Sequence, residues 1–585
     1  MPSFAALVLS GCVQPEAAPT KSGQRQQPRE IRYELAHDPS ASCWRVRLVA
    51  TGIDASSGTV RLVLADWGEW TSLGADYLRK LETRPRVQVD PQAANSFTLE
   101  PPADWDGTLD AFYVVPLALS GSSVQQAHGL LPRRDDSHAA GFSINTLFEL
   151  TQGAEPLAAV RRIRFAAPSG TTIATGWGGV STSTQEVRFE HPIDNVPLLF
   201  GRANGLASSE TDGLRYEVAQ FGPGRDGIAQ VLRVARALVP LYGRNAGRPC
   251  DEVARIFLTP LTSGGTHTDH GCIVSYEEGD FDGALQPEFI RILSHELSHI
   301  WLGGYLVPPD DESLVWFHEG FTEYLAMWHV VAAGLEEPEW FAERSVSLEA
   351  EARRSEAFGR VAFGEPGVRW RDGNGPNETL GYRGGSTLAL LADVELRRQG
   401  RPGLMQLVSD LLRDGEPLTL PTIREWMRAH GLAEFYARFV AAPAPLPPVG
   451  AALVDMHFEA SESDASLTYL GIQVEEGDDS RNIVALDPDG PAARAGLEIG
   501  DRILRGSPGR PNPPDIRASV STPYRFGLTT IASGAKVTTI EVERGVRELA
   551  SSLEPRLIAG GVRTAYRRGG ESLERFFRYE PPSGR

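Results

Sequence analysis

No apolar run in this 585-residue chain reaches the roughly 18 residues that a membrane-crossing helix needs, so no helix spans a membrane in the body of the protein. Positive charge is short as well. Lys and Arg number 57 against 76 Asp and Glu, a net charge of -19, which argues against non-specific nucleic-acid binding and against attraction to anionic membranes. The acidic balance reads as a solubility feature. Cysteine is scarce at four residues, too few for a disulfide framework. Cys43, Cys250 and Cys272 read as buried free thiols, with a Cys250–Cys272 bridge as the alternative in an oxidising compartment. What remains is ordinary: 41% hydrophobic and 23% charged residues over a length that suits three or four domains.

The chemistry concentrates between Gln286 and Leu325. His295, Glu296 and His299 form His-Glu-x-x-His inside an apolar run that opens with Pro287 and closes at Gly303 and Gly304, which are helix start and stop signals. At about 100° per residue the two histidines share one face, while Phe289, Leu293, Leu297 and Ile300 share the other. The i, i+4 spacing brings two imidazoles to one zinc ion and leaves Glu296 beside them as a carboxylate able to take a proton from water. A catalytic zinc needs a third protein ligand and one open position. After a turn at 308–311, a helix predicted from Trp316 to Ala333 offers Glu319 as that ligand, with His318 as a rival that points about 100° away. Glu323, one turn on, is placed to accept the outer N–H of a metal-bound histidine. Chance would produce His-Glu-x-x-His about 0.02 times in a chain of this composition.

The strings His-Glu-Leu-Ser-His-Ile-Trp-Leu-Gly and Trp-Phe-His-Glu-Gly-Phe-Thr-Glu-Tyr resemble the two-helix zinc signature of the gluzincin metallopeptidases. Nineteen residues separate His299 from Glu319, one more than in alanyl aminopeptidases, and the extra residue is expected in the 305–313 loop. Further likenesses favour the glycyl aminopeptidases of metallopeptidase family 61. That resemblance implies a multidomain fold: a β-rich N-terminal domain, a thermolysin-like, mostly helical α+β catalytic domain, and a C-terminal PDZ domain. In that family a Gly-Gly-Leu-Glu-His strand lines the cleft and its glutamate holds the substrate amine. Here Gly264 and Gly265 match and the glutamate does not, leaving Asp269 as a shifted substitute. Gly381-Tyr-Arg-Gly-Gly-Ser is similar to the family's Tyr-x-Lys-Gly motif, with Gly384 in place of lysine, so the resemblance gives Tyr382 the role of oxyanion donor.

The rest of the chain divides by pattern. Residues 1–29 resemble a bacterial lipoprotein signal and tether: Leu9-Ser10-Gly11-Cys12 would make Cys12 the lipid-bearing residue, although the basic n-region is missing. By that resemblance the protein sits in the bacterial cell envelope, anchored to the outer membrane and facing the periplasm. Residues 30–215 alternate as strands and form the β-rich domain, where His128, His138 and His191 read as core or solvated residues. His267 and His270 read as polar loop histidines. The catalytic domain spans 216–440, and 441–460 is a Pro/Ala-rich linker. Within 461–556, Tyr469-Leu-Gly-Ile and Gly490-Pro-Ala-Ala-Arg-Ala-Gly-Leu-Glu-Ile-Gly-Asp resemble a PDZ domain, whose peptide-binding loop would be Leu470, Gly471 and Ile472. Residues 557–585 match no pattern.

The expected function is peptide-bond hydrolysis with one zinc per chain, by resemblance an aminopeptidase acting on small N-terminal residues. The unmatched glutamate keeps an envelope endopeptidase open. A lipid-anchored PDZ adaptor with an inactive peptidase fold, and hydrolysis of an epoxide or other non-peptide substrate on the same zinc, are the remaining alternatives. The expected partners are a peptide or protein substrate and peptide C-termini at the PDZ domain, with no nucleic acid.

Overall fold

The computed structural model describes residues 29–577 apart from 65–78, 91–92, 120–131, 183, 212, 251–252, 262–263, 269, 278–279, 309–311, 366, 369, 371–374, 470–471, 475–482, 487–490, 509–529, 532–536, 545–546, 553–555, 569–572 and 574–575. Cys12, Asp269, Leu470 and Gly471 therefore lie outside the described residues. The chain divides into two compact units, 1–452 together with 574–585, and 453–573.

In the first unit, the alternating stretches after Arg29 form strands whose buried faces follow their period of two. Glu30–Asp38, Cys43–Thr51 and Leu109–Pro116 lie side by side within a six-stranded sheet. A second six-stranded sheet and a five-stranded sheet complete the β-rich domain. Trp44, Leu48, Tyr113, Phe148 and Phe200 share its core. The buried tyrosines keep their hydroxyls satisfied: Tyr33 donates to the carbonyl of Phe148 at 2.8 Å, and Tyr113 donates to that of Thr146 at 3.0 Å. Cys43 and Cys272 are buried free thiols, and Cys250 is half-buried and outside any disulfide.

The next sheet has five strands in the order Ala203–Thr211, Leu214–Phe221, Ala254–Leu258, Gly271–Val274, Gly265–Thr268. The border expected at 215 thus falls inside a sheet. Ala203–Thr211 has the same alternation as the strands before it, and what assigns it elsewhere is its pairing with Leu214–Phe221. Gly265–Thr268 forms one edge of this sheet.

Helices follow. α1 (Ile228–Ala246) and α2 (Pro287–Ser298) lead to α3 (Val315–His318) and α4 (Gly320–Ala332). Then come α5 (Pro338–Arg354), the single turn α6 (Pro376–Thr379), a π turn over Leu380–Gly384, and α7 (Gly385–Arg398). Three further helices, Met405–Asp414, Leu420–Ala429 and Ala433–Phe439, follow. α2 is anchored from both sides: Ser294 Oγ donates to the carbonyl of Ala326 on α4 at 3.1 Å, and Tyr242 of α1 donates to the carbonyl of Ser294 at 3.3 Å. Asn245 donates to Nε2 of His329, whose Nδ1–H donates to the carbonyl of Leu325. That histidine is a packed structural residue.

The second unit opens with Phe458–Tyr469, which pairs antiparallel with Arg556–Arg568, so part of the unassigned 557–585 segment is a strand of this unit. Ile472–Val474 pairs with Ile483–Leu486, and a helical turn begins at Pro491. Arg544 clamps the segment after that turn, at 2.6 Å from Asp501 Oδ1 and 2.7 Å from Glu498 Oε1.

The last described residues belong to the first unit again. Phe577 lies 5.3 Å edge-on from Phe341 of α5 and 6.2 Å from Trp328 of α4, and the guanidinium of Arg397 sits 4.2 Å over the ring of Phe576. Both phenylalanines are buried, at 8% and 6% exposure. Phe577→Ala is expected to destabilise the first unit by about 3 kcal/mol, as emptying a buried phenylalanine site does. Urea denaturation followed by tryptophan fluorescence measures this, and an unchanged midpoint would show the contact to be incidental.

Candidate metal centre

α2 starts at Pro287, which fits the first helical turn because it lacks an N–H to satisfy, and the preceding Gln286 is extended. Phe289, Leu293 and Leu297 are buried on one face. The helix stops at Ser298, earlier than the expected glycines, because Ile300 and Trp301 tighten the turn by bonding to the carbonyls of Leu297 and Ser298. His299 keeps helical angles at φ -63°, ψ -14°, so its spacing from His295 survives. The chain then reverses at Gly303, whose φ of +131° suits glycine and whose missing Cβ leaves room for His318.

The expected ligand helix is present as α3 and α4, joined at Glu319, whose N–H donates to Val315 and whose carbonyl accepts from Glu323. His295, His299 and Glu319 converge as a buried group able to hold a metal ion. Nε2 of His295 lies 3.1 Å from Nε2 of His299 and 3.2 Å from Oε2 of Glu319, and Nε2 of His299 lies 3.3 Å from the same oxygen. Tetrahedral zinc with bonds of 2.0–2.1 Å places its donors about 3.3 Å apart. The triangle therefore fits zinc. Both histidines turn the correct nitrogen inward. Nδ1–H of His295 donates to Oε2 of Glu323 at 3.1 Å, and Nδ1–H of His299 donates to the carbonyl of Leu302 at 2.7 Å. His318, the rival, instead places its Nε2 3.0 Å from the carbonyl of Leu302.

One positioning residue had escaped the sequence reading. Arg291, one turn before His295 on the same helix, is buried and binds both Glu323 and Glu288. A cation one turn ahead of the first histidine, on its polar face, was the available signal. Burial would raise the pKa of Glu323, but Arg291 and then His295 hold it far below the usual carboxylate range. Burial would lower His295, yet the hydrogen bonds it donates to Glu319 and Glu323 push it up to about 10. Glu296 is pushed up to about 7, by burial first, with Glu319 adding to the rise.

The edge strand Gly265–Thr268 runs against this helix. A Cβ on Gly265 would lie 2.5 Å from Oε1 of Glu296, so a glycine here lets the backbone approach the carboxylate. His267 does not sit in a free polar loop as expected. It is on the strand, its Nδ1–H donating to the backbone carbonyl of Glu296 at 3.1 Å, with its ring 5.6 Å from that of His299. Gly264 precedes the strand, exposed, at φ +67°. A cavity of 120 Å³ adjoins α2, with Glu296, His267, His270, Cys272, Ile300 and Tyr305 among its walls. His270 reaches it from the β-rich domain's side, held by Asp194 Oδ2 at 3.0 Å.

Tyr382 lies in the π turn, half-buried. That turn meets the ligand helix backbone to backbone: a Cβ on Gly320 would lie 2.5 Å from Cα of Gly385 and 2.8 Å from the carbonyl oxygen of Gly381. Tyr382 is thereby held next to the residue that follows Glu319.

Two outcomes are expected. Gly385→Ala drives a methyl into the carbonyl of Trp316 and costs about 1–3 kcal/mol, with weakened metal binding. Urea denaturation with zinc titration checks it, and a variant equal to the original would show that the helices separate freely. Metal uptake near pH 7.5 should release about one proton or more, because His295 is protonated below about 10 without metal and must be neutral to bind it. Affinity then rises with pH over this range. Calorimetry in buffers of different ionisation heat reads the proton count, and a count of zero would contradict the charge state.

No protein-family model matches this chain, and no curated protein does. Among solved structures, an aminopeptidase N family protein from Idiomarina loihiensis has a TM-score of 0.66 at 14% identity, covering 94% of this chain and 100% of that one. An M1 zinc metallopeptidase from Deinococcus radiodurans has a TM-score of 0.45 at 16% identity, covering 73% of this chain and 96% of that one. Native yeast LTA4 hydrolase has a TM-score of 0.46 at 14% identity, over 73% of this chain and 70% of that one. The chain shares the fold of the Idiomarina protein.

Proposed function

We propose that this protein hydrolyses peptide bonds with zinc held by His295, His299 and Glu319. The observation that carries the reading is the buried donor triangle, with spacings of 3.1–3.3 Å, beside a carboxylate whose pKa is about 7. Zinc, when bound, supplies Lewis acidity that polarises the scissile carbonyl and makes water a better nucleophile. Glu296 takes a proton from the attacking water as its oxygen bonds the carbonyl carbon. The same carboxyl then hands that proton to the leaving amine as the C–N bond breaks. Tyr382 donates its O–H to the oxyanion. Glu323 and Arg291 hold His295 in the tautomer that binds metal. Gly264 and Gly265 lead the extended substrate along the sheet edge, which offers main-chain pairing.

Release of small N-terminal residues is the preferred form of the activity. It is supported by the sequence resemblance and by the shared fold with an aminopeptidase N family protein. An endopeptidase is the second reading, because Gly265–Thr268 carries His267 where the resemblance expects an amine-holding glutamate. The second unit is read as a PDZ domain that takes peptide C-termini beside Ile472, supported by the helical turn at Pro491 and the pair Ile472–Val474 with Ile483–Leu486.

The test is cleavage of a peptide library, free and N-acetylated. Glu296→Gln should retain zinc and lose at least about 10²-fold in kcat, the lower end of what a general base contributes. Cleavage of free peptides alone establishes the aminopeptidase; cleavage of both sets establishes the endopeptidase. Full activity of Glu296→Gln, or no metal-dependent cleavage by the unmodified chain, would sink the proposal.

A further inference from the structure

The π turn that bears Tyr382 is tied to α5 by charge. Nε of Arg383 donates to Oε2 of Glu351 at 3.0 Å, with the two side chains 30% and 16% exposed. Glu351 is itself steadied by the hydroxyl of Ser347, which donates to its Oε1 at 3.3 Å; that oxygen lies 3.9 Å from Arg344. Arg344 approaches Glu288 at 3.6 Å, and Glu288 pairs with Arg291 at 2.6 Å, next to Glu323 and His295. Alternating charges therefore run from the turn beside Tyr382 round to the second carboxylate of the metal site.

The turn also needs such a tie. A π turn is rare, is mostly confined to a single turn and occurs frequently at functional sites. Three of the six residues from Leu380 to Gly385, namely Gly381, Gly384 and Gly385, are glycines that add no side-chain packing. Their absent Cβ atoms let the turn press on Gly320, Trp316 and Phe363, which sets its depth. Rotation about the chain axis is left to side-chain contacts. The carbonyl of Arg383 accepts from Thr387 at 2.9 Å, and Ser355, just after α5, donates to the carbonyl of Pro376 at 2.6 Å.

We propose that Glu351 and Arg383 are positioning residues whose ion pair sets the direction of Tyr382 over the metal site. The claim rests on the peptidase reading for the role of Tyr382 and its kinetic consequence; the ion pair and its tie to the turn are observed. A half-exposed ion pair adds little to global stability, whereas a displacement of about 1 Å in a catalytic group costs up to 10²-fold in rate.

The test is a double-mutant cycle on the full chain. Glu351→Ala, with Glu351→Gln as the shape-preserving variant, should lower kcat about tenfold while KM and zinc content stay near those of the unmodified protein. In the Tyr382→Phe background neither substitution should lower kcat further. Arg383→Lys should keep more activity than Arg383→Ala. Equal losses in both backgrounds, or loss of zinc together with kcat, overturns the proposal. A second readout does not need activity: 3-fluorotyrosine at position 382 should give one narrow fluorine resonance that broadens or splits in Glu351→Gln. An unchanged resonance also overturns it. If the unmodified chain cleaves no peptide, the peptidase reading fails while the fluorine signal still decides the positioning claim.

Discussion

The site depends on how three carboxylates are kept in a nearly dry space. Glu296, Glu319 and Glu323 are 6%, 7% and 1% exposed, and burial opposes the charge on each. Arg291 offsets one of them. Without a metal, the deficit of positive charge is met by a proton held on His295 and by a rise of Glu296 to about 7. A divalent cation replaces that proton and adds another charge. The arrangement is therefore stabilised by the ion it is shaped to hold, and of the two carboxylates outside the donor set Arg291 keeps Glu323 charged, while Glu296, at about 7, is the one whose pKa suits proton transfer.

Close approach of backbones supplies the geometry. Gly265 lets the sheet edge lie against Glu296, and Gly320 with Gly385 lets the Tyr382 turn lie against the ligand helix. In each case a Cβ would meet a neighbouring atom at 2.5 Å or closer. The edge strand is thus held against the Glu296 side chain, and the Tyr382 turn against the main chain of the Glu319 helix, which has few ways to relax.

Charge orients what the glycines bring near. Asp194 crosses from the β-rich domain to His270 at the cavity wall, and Glu351 reaches from α5 to Arg383. Elsewhere the same residue types serve as structure. Asp135, His138 and Thr259 line up at 3.0 and 2.7 Å, yet Thr259 is fully buried, so this trio joins two sheets and has no access to a substrate.

The parts legible from residues alone were those whose geometry is local. An i, i+4 spacing on a helix brings His295 and His299 together wherever that helix is placed, and Glu319 and Glu323 follow the same rule on the next one. Strand alternation through Glu30–Asp38 and Cys43–Thr51, and the helical runs of α5 and α7, are local in the same sense. Tertiary structure decided what depends on partners distant in sequence. Alternation is identical on either side of residue 202, so pairing alone put Ala203–Thr211 in the sheet that carries Gly265–Thr268. His267 became a neighbour of His299 because an edge strand lies on α2, and Phe577 found Phe341 across more than two hundred residues. Local periodicity determines which face a side chain takes; which other face it meets is set by long-range packing, and no short stretch of sequence encodes that.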